Sequence, residues 1–93
     1  MAIKSFKHKG LEKFFYTGTL KGINAPHKDK LETRLDRLDA ATNPQDMNLP
    51  GYGLHSLHKE LAGHWAIKVS GAWRLTFAFE GSDAVLVDYV QYH

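Results

Sequence analysis

Six of the 93 residues are histidine, and imidazole is the one side chain whose ordinary titration falls near neutral pH. Histidines are therefore the natural carriers of protons in this chain. His55 and His58 stand three apart, His64 follows, and His93 closes the sequence directly after Tyr92. Taken alone, His55 and His58 read as exposed loop residues or, with His64 as a third ligand, as a zinc set. No H-E-x-x-H helix and no neighbouring carboxylate ligand supports the zinc reading. His93 alone reads as a frayed terminus, since chain ends are usually mobile. Arg74 occupies a polar position of an alternating segment. Its guanidinium is always charged and forks onto phosphate. The competing use is an exposed ion pair with Asp88 or a neighbour, worth well under ~1 kcal/mol. Lys68 has the same parity on the preceding segment. The absence of cysteine excludes thiolate nucleophiles, disulfides and zinc–cysteine sites.

The elements that must position these residues follow from periodicity. Ala2 to Phe6 alternates and reads as a short strand. Lys7 to Tyr16 reads as a helix with an apolar stripe of Leu11, Phe14 and Phe15. Gly18 and Gly22 break it. Pro26 suits the first turn of a second helix reaching about Ala41, with Leu31, Leu35 and Leu38 inward. Lys28, Lys30, Arg34 and Arg37 then fall mostly on its wet side, as a solvated face or as a docking surface for nucleic acid. Asn43 to Gly53 reads as loop, and Leu54 to Gly63 as irregular or partly strand-like. From Trp65 the pattern is β: Trp65, Ile67 and Val69 alternate with Ala66, Lys68 and Ser70. Trp73, Leu75, Phe77 and Phe79 alternate with Arg74, Thr76 and Ala78. Ser70-Gly71 and Glu80 to Asp83 mark hairpin turns, and Ala84 to Val90 is the last strand. The expected fold class is α+β, with two N-terminal helices packed on one face of a small twisted antiparallel sheet. Trp65 and Trp73 belong to the covered face; Lys68, Arg74 and Thr76 belong to the open one.

Length and composition set the frame. Apolar residues make up 43% and charged residues 24%, ordinary values for one globular domain spanning residues 1–93. A net charge of +2 is only mildly basic, so free nucleic acid should be held weakly by charge alone. No secretory h-region or membrane-length apolar run is visible, and a cytoplasmic protein without membrane contact is expected.

Three segments carry a family resemblance: Gly53-Leu54-His55-Ser56-Leu57, an L-H-x-L element; Gly63-His64-Trp65-Ala66-Ile67-Lys68-Val69 with Ala72-Trp73-Arg74-Leu75-Thr76-Phe77; and the closing Asp88-Tyr89-Val90-Gln91-Tyr92-His93. Ile3 to Phe6 and Leu38 to Thr42 fit as well. Together they resemble the HigB-type toxins of the RelE/ParE superfamily, also called plasmid-maintenance killer proteins, over almost the whole chain. The W-R-[IL]-T-F strand combined with a terminal Tyr-His is the specific part.

The resemblance implies a RelE-like fold and a type II toxin that cuts mRNA in the ribosomal A site. It implies no metal or cofactor. It implies a helix-turn-helix antitoxin of the HigA kind, with a heterotetramer as the expected complex. It makes His55, His58, Arg74, Tyr92 and His93 the catalytic candidates, and Lys59, Lys68 and Gln91 RNA-binding ones. Two positions depart from the pattern. Gln91 stands where many relatives carry aspartate and cannot act as a base. His58 stands where many carry lysine, with Lys59 next to it. Two other functions stay open: a gyrase poison, as in the ParE branch, and a degenerate member that only binds RNA or antitoxin.

Overall fold

The computed structural model describes residues 2–92. The alternation from Trp65 onward produces the meander it predicts. Strands β2 (His64–Ser70), β3 (Trp73–Glu80) and β4 (Asp83–Gln91) are antiparallel, and β1 (His55–Ser56) adds to the outer edge of β2, giving the order β1-β2-β3-β4. The ambiguous segment 54–63 thus resolves into a two-residue strand followed by a 3₁₀ turn, Lys59–Leu61.

Two bulges modify the expected register. Lys68 pairs with Arg74 but Ser70 pairs with Trp73, so β2 carries one extra residue. The hairpin loop is therefore Gly71-Ala72, one position later than Ser70-Gly71. On the other side, Thr76 pairs with Asp88 and Ala78 with Val85, so β4 carries one extra residue near Leu86, which adopts φ 55°. This bulge also explains the fate of the expected first strand. Residues 2–6 run beside β4, but pair with it only at Ile3–Ala84 and Phe6–Val87, on either side of the bulge. Between these bridges Ser5 holds the bulge itself: its Oγ accepts from the Leu86 N–H at 2.9 Å and its carbonyl from the Val87 N–H at 3.1 Å.

Helix α1 (Lys9–Thr17) begins two residues later than its apolar stripe suggests, because His8 is its N-cap: Nδ1 accepts from the Leu11 N–H at 2.9 Å. It ends at Gly18, in the left-handed conformation that glycine adopts without penalty. A 3₁₀ turn, Ala25–His27, leads into α2 (Lys28–Ala40). Leu31, Leu35 and Leu38 are fully buried, each worth roughly 1.5–3 kcal/mol of hydrophobic stabilisation. They meet Ile67, Leu75, Phe77 and Val87 from the sheet, with Met47 and Tyr52 from the connecting loop. Trp65 and Trp73 pack against this core, as their parity requires.

Two of the six histidines serve this fold. His8 caps α1. His27 is buried, with Nδ1 2.6 Å from the Tyr89 hydroxyl, and Tyr89 stacks on Trp73 at 4.6 Å. Burial pushes the Tyr89 phenol above its usual range, partly opposed by hydrogen bonding from Asn24. Because the folded value is raised, the unfolded chain ionises first, and this contribution to stability is complete below pH 10.0 and lost above it. Tyr89→Phe removes the partner of a buried imidazole nitrogen and is expected to cost about 1–3 kcal/mol in urea denaturation at neutral pH. The gap between wild type and variant should narrow as pH rises past 10.0. A gap that stays constant up to about pH 11 would contradict this account of the buried phenol.

Candidate functional site

The helices cover one face of the sheet, and the other displays the residues whose parity sets them apart. Strand register arranges them in rows. His55, Ala66, Thr76 and Asp88 stand opposite one another across β1 to β4, and Lys68, Arg74 and Val90 form the next row. Ala66 and Thr76 are small, so the middle of the first row is low and its two ends carry the longer side chains of His55 and Asp88.

His55 is exposed, and its Nδ1 lies 3.0 Å from the Gly53 carbonyl. A carbonyl only accepts, so Nδ1 carries the proton in this bond and Nε2 of the neutral ring keeps its lone pair. His58 and Lys59 are exposed beside it at the 3₁₀ turn, where Lys59 adopts φ 58°. Lys68 and Arg74 are direct cross-strand neighbours. Arg74 donates through one terminal nitrogen to the Gly71 and Trp73 carbonyls, at 2.6 and 2.9 Å. Its guanidinium lies 5.7 Å from the Tyr92 ring centroid. The ion pair with Asp88 does not form: Asp88 stands opposite Thr76, and its Oδ1 accepts from the Tyr89 N–H at 2.9 Å. Among the described residues the one ion pair joins Lys4 and Asp83, so both open-face cations keep their charge available. Gln91 pairs with Trp73 and therefore has the parity of the covered face, although it is exposed at the strand end. His93 lies outside the described residues.

Tyr92 and Gln91 line a cleft of about 620 Å³ over β3 and β4, a size that suits a small ligand or a segment of one. Its other lining residues include Lys7, Leu61, His64, Thr76, Leu86 and Asp88. The sequence alone marks none of these as a catalytic or RNA-binding residue. His64, from sequence a candidate third metal ligand, has a buried Nδ1 without a hydrogen-bond partner among the described residues. His55, His58 and His64 do not converge: among the described residues no three His, Asp or Glu side chains are placed to hold a metal ion. Arg34 departs from the expected wet face of α2. Its Nε donates to the Lys68 carbonyl at 2.6 Å and its guanidinium sits 4.3 Å over the Tyr52 ring, which ties the helix to the back of the site.

Two helices on one face of a small antiparallel sheet, with a polar open face opposite, define a RelE-like toxin fold. The chain belongs to the HigB-like toxin family, the RelE-like toxins of the type II toxin–antitoxin system HigB, whose family model matches residues 4–93. Endoribonuclease HigB of Proteus vulgaris is 42% identical over 91 residues, 98% of this chain and 99% of that protein. Both the fold and the family read from the sequence are borne out, and membership of a toxin–antitoxin family implies an antitoxin partner. Among the described residues, no helix is long and apolar enough to cross a membrane.

Gly53 ties the site together. It has φ 59°, its carbonyl fixes His55, and a Cβ there would stand 3.0 Å from the Lys68 Cε. Gly53→Ala should cost about 1–2 kcal/mol from the left-handed backbone and displace the flexible Lys68 stem. Urea denaturation reads the first effect and the Lys68 side-chain NMR shifts the second. Unchanged Lys68 shifts would sink the packing claim.

Proposed function

We propose that the open face cleaves mRNA in the A site of the translating ribosome, without a metal, and that the whole chain acts as one toxin domain. The observation that carries this reading is one sheet face combining His55, whose Nδ1 is engaged by the Gly53 carbonyl, a Lys68–Arg74 couple without an ion pair among the described residues, and Tyr92 beside Arg74. The name of the Proteus vulgaris relative, an endoribonuclease, supports it.

Such cleavage needs a base for the 2′-hydroxyl proton, cations for the phosphate and an acid for the leaving oxygen. His55 takes the proton at Nε2 as the 2′-oxygen attacks the adjacent phosphorus. The bond from phosphorus to the 5′-oxygen then breaks, leaving a 2′,3′-cyclic phosphate. His93, next to Tyr92, protonates the departing 5′-oxygen. Arg74 and Lys68 stabilise the charge that grows on the phosphate, usually the largest catalytic term. The Arg74 nitrogens not committed to Gly71 and Trp73 remain for this. Tyr92 offers a flat surface for a base. His58 and Lys59 share the place of the lysine usual in the family. Gln91 binds RNA through its amide and takes no proton. His55 and Arg74 are two strands and two residues apart, about 12 Å between backbones from standard sheet spacings, and their long side chains can converge on one phosphate above Ala66.

Weak net charge fits a substrate delivered by the ribosome. Lys28, Lys30 and Arg37 remain exposed on α2 and can meet ribosomal RNA, whereas Arg34 is committed to the fold. The reading places the protein in the cytoplasm, held there by a HigA-like helix-turn-helix antitoxin in a heterotetramer. With purified protein and mRNA-programmed 70S ribosomes, primer extension should show cuts in the A-site codon that vanish without ribosomes. Arg74→Ala and His55→Ala should each slow cutting by at least about a hundredfold and remain folded by circular dichroism. Folded wild-type protein that makes no cuts, and instead traps gyrase on DNA, would move the assignment to the gyrase-poison class.

A further inference from the structure

Leu86 is the bulkiest residue of the described chain held in the left-handed region, at φ 55°, apart from Lys59. Leucine gains nothing from that backbone conformation, which asparagine or glycine adopts at lower cost. Its side chain is not spent on the core either: it is 45% exposed. The bulge that forces this conformation is held by both hydrogen-bonding groups of Ser5. It aims a large apolar side chain into the cleft on the polar face.

The cleft has a second exposed apolar residue. Leu61 ends the 3₁₀ turn that precedes β2, is 39% exposed, and lines the same cleft. The two leucines approach from opposite sides, one from the β2 end and one from β4. Strands β2 and β4 are two spacings apart, about 10 Å. A flat ring in van der Waals contact on both sides needs about 7 Å, so the branched ends of two leucines can close on one ring. At the floor, Thr76 offers a hydroxyl, and the buried His64 Nδ1 has no partner among the described residues. Lys7 and Asp88 also line the cleft, and Lys68 and Arg74 stand in the next row of the same face. Apolar jaws, with a hydroxyl, an imidazole, one cation and one carboxylate among the lining groups, match the ring face and the mixed donors and acceptors of a heterocyclic base. Lys68 and Arg74 in the next row can meet the phosphodiester that carries it.

We propose that Leu61 and Leu86 form a nucleobase subsite that grips one base of the substrate RNA and thereby holds the scissile phosphate in register with the cations of the open face. This rests on the reading of that face as the cleavage site. Leu86 is maintained in a costly conformation because the exposed side chain is the functional part.

The strained backbone makes the test discriminating. Leu86→Asn suits φ 55° and should leave the melting temperature unchanged or raise it, while removing one jaw. Cutting of mRNA on programmed ribosomes should fall about tenfold, as should cutting by Leu61→Ala. Leu86→Met, which restores an apolar side chain, should recover most of the lost rate. Leu20→Ala, a matching change at a leucine 38% exposed outside the cleft, should cut like wild type. If Leu86 serves only the backbone, Leu86→Asn should cut at the wild-type rate, and that outcome would overturn the subsite. Equal losses in Leu86→Asn and Leu86→Met would overturn it too, since the apolar surface would then be irrelevant. If these variants cut normally while wild type also cuts, the subsite fails and the ribonuclease reading stands. If folded wild type does not cut, both fail together.

Discussion

The fold depends on one shortage: the chain has apolar helix surface for only one face of its sheet. Two short helices, with fully buried Leu11, Leu31, Leu35 and Leu38, cover Ile67, Leu75, Phe77 and Val87. Nothing is left to cover the other side. Strand alternation then sorts side chains with period two, so each residue not needed in the core falls on one open surface. His55, Lys68, Arg74, Thr76 and Asp88 share a face because their parity leaves them no other. The same constraint that leaves a small domain little core to bury gives it a broad polar open face.

Around this platform the fold uses backbone groups and aromatic rings to fix long, mobile side chains. Arg74 is anchored on two carbonyls of the β2–β3 hairpin, and its guanidinium lies near Tyr92. His55 is anchored on Gly53, and the Gly53 backbone abuts the Lys68 stem. Behind the sheet, Arg34 reaches through to the Lys68 carbonyl, so helix and platform move as one. Neutral carbonyl anchors orient these cations without neutralising them. An anchoring carboxylate would have given a stronger hydrogen bond but reduced the charge available to a phosphate.

Much of this was legible in the sequence, because parity is legible. Trp65 and Trp73 against Lys68 and Arg74 settles which face is core without any coordinates. The Leu31, Leu35, Leu38 spacing does the same for α2. What escaped depends on tertiary partners or on non-standard backbone. His8 and His27 look like their reactive counterparts until a helix N–H and a tyrosine hydroxyl are seen beside them. Arg34 sits among solvated residues in sequence and is bonded across the molecule in space. The short strand His55–Ser56 carries too few residues to show a period. The β4 bulge leaves no sequence mark at all: Val85-Leu86-Val87 reads as a continuous apolar strand, and only the register reveals that Leu86 has turned outward.

That bulge links the two ends of the chain to the site. Residues 2–6 bridge β4 on either side of the extra residue, and between the bridges Ser5 takes the N–H groups of Leu86 and Val87. Beyond it, β4 continues through Asp88 to Gln91, and the next residue, Tyr92, donates its N–H to the Ala72 carbonyl at 2.8 Å. A regular β4 would shift every residue after Val85 by one position. Asp88, Val90 and Tyr92 would then turn toward the helices, and Val87 and Tyr89 toward solvent. The strained leucine therefore sets the parity of the whole C-terminal strand as well as facing the cleft. Asparagine could meet the backbone requirement equally well, so the bulge explains the left-handed conformation but not the choice of leucine. The side chain needs a separate reason, and the cleft it faces supplies one.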